Sequence, residues 1–86
     1  MVSFVVMQKG TAVLLADLKT GQKAKIKTFT SEEIFLKLME MGCLPGEEIE
    51  ILKKAPLNDP ISVAVAGYTL SLRVEEAKYI EVELIS

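Results

Sequence analysis

The residue types that usually carry catalysis are scarce in this 86-residue chain, and that scarcity decides much. There is no histidine, which removes both the usual general base and the commonest transition-metal ligand. The single cysteine, Cys43, cannot build a tetrahedral zinc site alone; at the end of an apolar helical segment it reads as a small buried hydrophobe. Three adjacent carboxylate pairs occur, Glu32-Glu33, Glu47-Glu48 and Glu75-Glu76. Neighbouring side chains diverge on helices and strands alike, so such pairs read as helix-start charge and solvated surface rather than as one ion site. Lys23, Lys25 and Lys27 form a basic stripe. A phosphate or acidic-partner site is one reading; the favoured one is cross-strand pairing with Glu48 and Glu50 or with Glu81 and Glu83. Arg73, the one arginine, either pairs with Asp59 or an outward glutamate, or offers its planar fork to a partner's carboxylate. No glycine-rich phosphate loop is present. The expectation is a protein without catalytic residues, bound cofactor or metal site.

Composition narrows the classes further. Half of the residues are apolar and the net charge is −2. A chain this long forms one domain, and that apolar content excludes disorder. The acidic balance argues against nucleic-acid binding and against docking on an anionic membrane. No apolar run approaches the roughly 18 residues needed to cross a bilayer, and the run Phe4–Met7 is too short for a signal peptide. With one cysteine and no disulfide framework, a reducing, cytoplasmic compartment is expected.

The elements that must position these residues are largely β. Residues 1–13 read as an N-terminal extension, in which Val2, Phe4, Val5 and Val6 suit an edge strand. Ala24, Ile26 and Thr28 alternate with the lysines, the period of a strand with one buried face. Thr30 and Glu33 have capping-box spacing, and a helix over 31–41 follows with Ile34, Phe35, Leu38 and Met39 on one face. Gly42 suits the left-handed end of that helix, and Pro45-Gly46 the centre of a type II turn. Ile49 and Ile51 form the next inward face. Pro56 and Pro60 bound a loop that contains Leu57, Asn58 and Asp59. Ile61, Val63 and Val65 point inward next, with small residues opposite them. Gly67 marks a turn before Leu70 and Leu72. Glu75–Lys78 suits one helical turn, and Ile80, Val82 and Leu84 close the pattern. Five short strands with apolar faces are best buried by curling into a small barrel, with one inserted helix.

Three strings taken together carry a resemblance: Leu38-Met39-Glu40-Met41-Gly42-Cys43-Leu44-Pro45-Gly46, Ala55-Pro56-Leu57-Asn58-Asp59-Pro60, and Tyr68-Thr69-Leu70-Ser71-Leu72-Arg73. In that order, after the leader Leu14–Gln22, they resemble the FeoA family of bacterial ferrous iron transport. Asn58 stands where many members carry glycine, and asparagine tolerates the same left-handed conformation. The resemblance implies an SH3-like barrel over residues 14–86. It also implies a non-enzymatic cytoplasmic accessory protein, peripheral at the inner membrane through its partner, the cytoplasmic GTP-binding domain of the membrane iron transporter. Two alternatives are a regulatory module like the last domain of metal-dependent repressors, and a nucleic-acid-binding SH3-like protein. The candidate contact residues are Leu57, Tyr68, Leu52, Leu44 and Arg73, meeting either the transporter or a second copy in a homo-oligomer. Leu57 is expected to have Tyr68 or Leu52 beside it. Gly42, Pro45, Gly46, Pro56, Asp59 and Pro60 are structural turn residues.

Overall fold

The computed structural model of the protein describes residues 12–85. The N-terminal edge strand suggested by Val2–Val6 lies outside them. Six strands form one antiparallel sheet in the order β1-β6-β2-β3-β4-β5. They are β1 (Ala12–Leu14), β2 (Lys23–Phe29), β3 (Glu48–Lys54), β4 (Ile61–Val65), β5 (Tyr68–Leu72) and β6 (Ile80–Leu84). A 3-10 turn, Leu15–Asp17, follows β1; helix α1 (Glu32–Met39) joins β2 to β3, and the single turn α2 (Val74–Ala77) joins β5 to β6.

The mainly β class with one inserted helix is the expected one, but there are six strands rather than five. The additional strand is β1, which adds to β6 beyond the leader. The hydrogen-bonded ladder does not close into a barrel: β1 and β5 are its two ends. Helix α1 packs against the core beside β2. It buries Leu38 completely and packs Ile34 against the core, while its end lies beside Tyr68 and Leu70 of β5.

The core is built from the alternating residues. Ala24 and Ile26, Ile49 and Ile51, Ile61, Val63 and Val65, Leu72, and Ile80 and Val82 are all buried, with Leu15, Leu18, Leu38, Cys43 and Ala77 filling the ends. No polar or charged side chain is buried among the described residues. The alternation overreaches in three places. Thr28 is exposed, because β2 carries a bulge between Ile26 and Thr28 that shifts its register against β6. Leu84 is 43% exposed at the end of β6. Met39 is exposed as well, since only Leu38 of the last helical turn reaches the core.

The helix ends show why this sequence turns where it does. Thr30 is not the N-cap. Its N–H donates to the Tyr79 carbonyl (2.8 Å), so it still belongs to the sheet. Ser31 caps instead, its Oγ accepting from the Ile34 N–H at 3.3 Å. At the other end Cys43 N–H donates to Leu38 O (3.1 Å) and Gly42 N–H to Met39 O (3.0 Å), with Gly42 at φ +83°. These two bonds and that left-handed glycine make a Schellman motif, and the buried Cys43 and Leu38 supply its apolar contact. The chain then turns through Leu44-Pro45-Gly46-Glu47, closed by Glu47 N–H to Leu44 O (3.1 Å) with Gly46 at φ +96°, the type II geometry expected of Pro-Gly.

Candidate functional site

The cross-strand registers place the basic stripe first. Lys23 lies opposite Glu50, and Lys25 sits between Glu48 of β3 and Glu83 of β6. Lys27 falls in the β2 bulge, outside the paired register. These registers set opposite charges across three neighbouring strands, an arrangement worth only modest stabilisation at an exposed surface.

Among the described residues Arg73 has no ion-pair partner for its side chain. Its backbone N–H donates to Glu76 Oε1 at 2.9 Å, at the start of α2. Asp59, from the loop between β3 and β4, accepts from the Val74 N–H at 3.2 Å through Oδ1. Glu76 also accepts from the Lys37 ammonium, which ties α1 to α2; this is the one ion pair found among the described residues. The Lys37 hydrogen bond, aided by the Arg73 N–H, holds the Glu76 carboxyl below the usual carboxylate range, against the opposing effect of its partial burial.

Cys43 is fully enclosed, and burial, reinforced by Glu47, pushes its thiol up to about 11. A protonated, inaccessible thiol is neither nucleophile nor metal ligand. Among the described residues no three acidic or cysteine side chains converge as a metal site would require.

What the surface does offer is apolar. Leu57 is 88% exposed at the tip of its loop, so it does not plug an end of the sheet. The loop is held in shape by Asn58 N–H to Ala55 O and Ala55 N–H to Pro60 O, with Asn58 in the left-handed region at φ +64°. Leu52 is exposed where β3 shifts register between Ile51 and Lys53.

The candidate residues fall into two groups. Leu57, Leu52 and Arg73 lie toward the end of the sheet where Lys54 pairs with Ile61 and Ile61 with Leu72. Tyr68 and Leu44 lie toward the opposite end, where Val65 pairs with Tyr68 and Ile49 with Val65. Of the two neighbours expected for Leu57, Leu52 lies toward the same end of the sheet, whereas all of β4, about 13 Å at roughly 3.3 Å per residue, runs between Leu57 and Tyr68. Tyr68 instead joins Leu70, Met39 and Met41 around an open depression of about 570 Å³, in which Glu40 is the one charged residue. A second open depression, about 440 Å³, is lined by Phe29, Phe35 and Pro45 among others, with the two rings 5.3 Å apart. Neither depression was foreseen. Met39 is expected on the apolar face of the helix and Met41 at its end.

The comparisons with known proteins agree with this architecture. Residues 13–84 match the family model of the FeoA domain. The chain belongs to the FeoA family. Over 73 residues, 84% of its length, it is 42% identical to the Fe(2+) transport protein A/Fe(2+) transporter FeoB fusion protein of Porphyromonas gingivalis. The matched part is 9% of that fusion protein's length. Among solved structures it superposes on the FeoA-like protein of Clostridium acetobutylicum with a TM-score of 0.83 and 39% identity, covering 88% of this chain and 90% of the other. It matches the FeoA of Stenotrophomonas maltophilia, a prokaryotic SH3-domain protein solved with zinc, at TM-score 0.72 and 28% identity, covering 83% and 89%. The fold class is thus SH3-like, and the family is one of ferrous iron transport. A manganese-dependent transcriptional repressor shares the fold alone, at TM-score 0.78 and 18% identity, covering 86% of this chain and 42% of the repressor.

Proposed function

We propose that this chain is a non-enzymatic, cytoplasmic accessory protein of bacterial ferrous iron transport that binds the GTP-binding portion of the membrane iron transporter. The observation that carries this reading is the Porphyromonas gingivalis relative, in which a domain 42% identical to this chain shares one polypeptide with the transporter. Fusion gives two modules a high effective concentration. Such a domain binding the transporter does so through its own surface. Leu57, on a loop pinned by its own backbone bonds and by Asp59, presents an apolar tip at low ordering cost. Leu52 and Arg73, toward the same end of the sheet, extend that contact.

Peripheral attachment through a partner also suits a chain in which no described helix is long and apolar enough to cross a membrane. The likeness to the metal-dependent repressor concerns the fold alone, and no residue here favours a regulatory role over the transport one.

The test is titration calorimetry of the protein against the soluble GTP-binding domain of its transporter, with GDP, with a GTP analogue and with no nucleotide. Saturable one-to-one binding in at least one state is expected. Absence of binding in all three would overturn the proposal.

A further inference from the structure

Among the described residues no strand pairs with the outer edge of β5, and that edge is built unlike the one at the other end of the sheet. β5 pairs with β4 through a two-residue hairpin in which Val65 faces Tyr68. In such a hairpin the residues flanking the loop exchange both backbone bonds, and every second residue repeats the pattern. Tyr68, Leu70 and Leu72 therefore spend their N–H and C=O groups on β4, while Thr69 and Ser71 point theirs away from it. Among the described residues neither Thr69 nor Ser71 has another hydrogen-bond partner. The next residue of that parity, Arg73, has its N–H capped by Glu76.

Sheet edges are ordinarily protected by charge, proline, a bulge or shortness. β1, at the other end, has three residues. β5 has five, Tyr-Thr-Leu-Ser-Leu, with no charge and no proline, and its register with β4 is unbroken. Thr69 and Ser71 are both exposed, and Tyr68 is 62% exposed.

From this edge we infer that two copies of the chain pair through β5, antiparallel, about a two-fold axis at Leu70. The geometry selects the register. With Leu70 opposite Leu70 of the second copy, Thr69 faces Ser71 and Ser71 faces Thr69. Four backbone hydrogen bonds then form, and every open N–H and C=O of both residues on both copies is satisfied. Threonine facing serine is a favourable cross-strand pair, and no like charges meet on the strand. The two Leu70 side chains adjoin, extending apolar cover over the depression that Leu70 and Tyr68 line. One strand pair of this length buries less than the roughly 1,200 Å² of a standard interface, so association is weak and depends on concentration.

Sedimentation equilibrium of the protein alone tests this across a concentration series, and its result does not depend on transporter binding. A monomer–dimer equilibrium is expected, with amide exchange at Thr69 and Ser71 slowing as concentration rises. The double variant T69K/S71K sets lysine against lysine at both paired positions and should be monomeric throughout. T69K/S71E sets lysine against glutamate in the same register and should dimerise at least as well as the parent. Both variants alter exposed positions, and circular dichroism checks that each is folded. A parent chain that remains monomeric at its highest soluble concentration overturns the inference. So does equal behaviour of the two double variants, since that would deny the proposed register.

Discussion

Asp59 Oδ1 accepts a hydrogen bond from the Val74 backbone N–H at 3.2 Å, joining the tip loop between β3 and β4 to the start of α2. Arg73, the residue before the helix, has no side chain that can accept such a bond, so the cap comes from fifteen residues away. The contact links the presentation of Leu57 to the crossover into β6.

Asp59→Ala should therefore cost about 1 kcal/mol, the usual loss for a missing helix cap. In a domain of this size that lowers Tm by roughly 4–8 °C. Asp59→Asn keeps an acceptor and should lose less. Thermal unfolding of the three proteins checks the order; an Ala variant as stable as the parent would show that the bond contributes nothing.

The β4–β5 turn carries a correctable strain. Ala66 has φ +53° and Gly67 φ +82°, the double left-handed geometry of a type I′ turn, in which alanine is a poor first residue. Ala66→Asn should raise stability by roughly 0.5–1 kcal/mol, since asparagine tolerates this region far better. Chemical denaturation decides the sign, and a lower midpoint at unchanged slope would contradict the turn assignment.

Gly42 sits at φ +83° in the Schellman motif, and a Cβ added there would meet the Ala66 Cβ at 3.7 Å, an ordinary contact. The penalty for substitution is therefore conformational rather than steric. Gly42→Ala should cost about 1 kcal/mol and Gly42→Val more. Gly42→Asn should fall between the parent and the alanine variant. Equal stability of all four proteins would place the residue in an ordinary conformation.

Glu76 links stability to pH. Its folded-state carboxyl is held below the ordinary value, chiefly by Lys37, so the ionised form stabilises the fold. That contribution is complete above the unfolded carboxylate value of roughly 4.3 and fades as pH falls through the lower folded value. Lys37 is 56% exposed, so solvent screens the pair, while the Glu76 side chain is only 12% exposed. Glu76→Gln should destabilise by about 1 kcal/mol at pH 7, combining the pair with the Arg73 N–H bond. The gap from the parent should narrow below pH 4. A gap that stays constant from pH 7 to pH 3 would remove ionisation from the account.

Much of this fold is legible where one residue type permits one geometry. Gly42 and Pro45-Gly46 announce the helix end and the type II turn because few other residues suit them. Asn58, at φ +64°, takes the left-handed role expected of a residue standing in place of glycine. The inward residues of β3 and β4 follow from alternation. The misreadings arise where a tertiary contact decides between two local options. Thr30 and Ser31 both suit a cap, and the Tyr79 carbonyl claims Thr30. Leu84 keeps the alternation at the end of β6, where the side chain is 43% exposed. β1 is hidden because Val13, Leu14 and Leu15 run apolar without a period. Of the two neighbours expected for Leu57, Leu52 shares its end of the sheet, while Tyr68, close in sequence, lies one strand of a hairpin away.

Leu57 gives the sharpest test of the proposed contact surface. At 88% exposure it buries almost nothing within the chain, so Leu57→Ser should change stability by less than about 0.5 kcal/mol. A buried leucine would lose roughly 2–5 kcal/mol on truncation, a range easily told apart by denaturation. Binding is the other readout. If the tip of the loop enters the transporter's GTP-binding domain, the same variant should weaken association by tenfold or more, about 1.4 kcal/mol. Tyr68→Ser, at the opposite end of the hairpin, serves as the control and should leave that affinity within a factor of two or three. Full affinity in the Leu57 variant would remove this loop from the interface, and loss in the Tyr68 variant alone would move the interface to the depression beside Met39 and Met41.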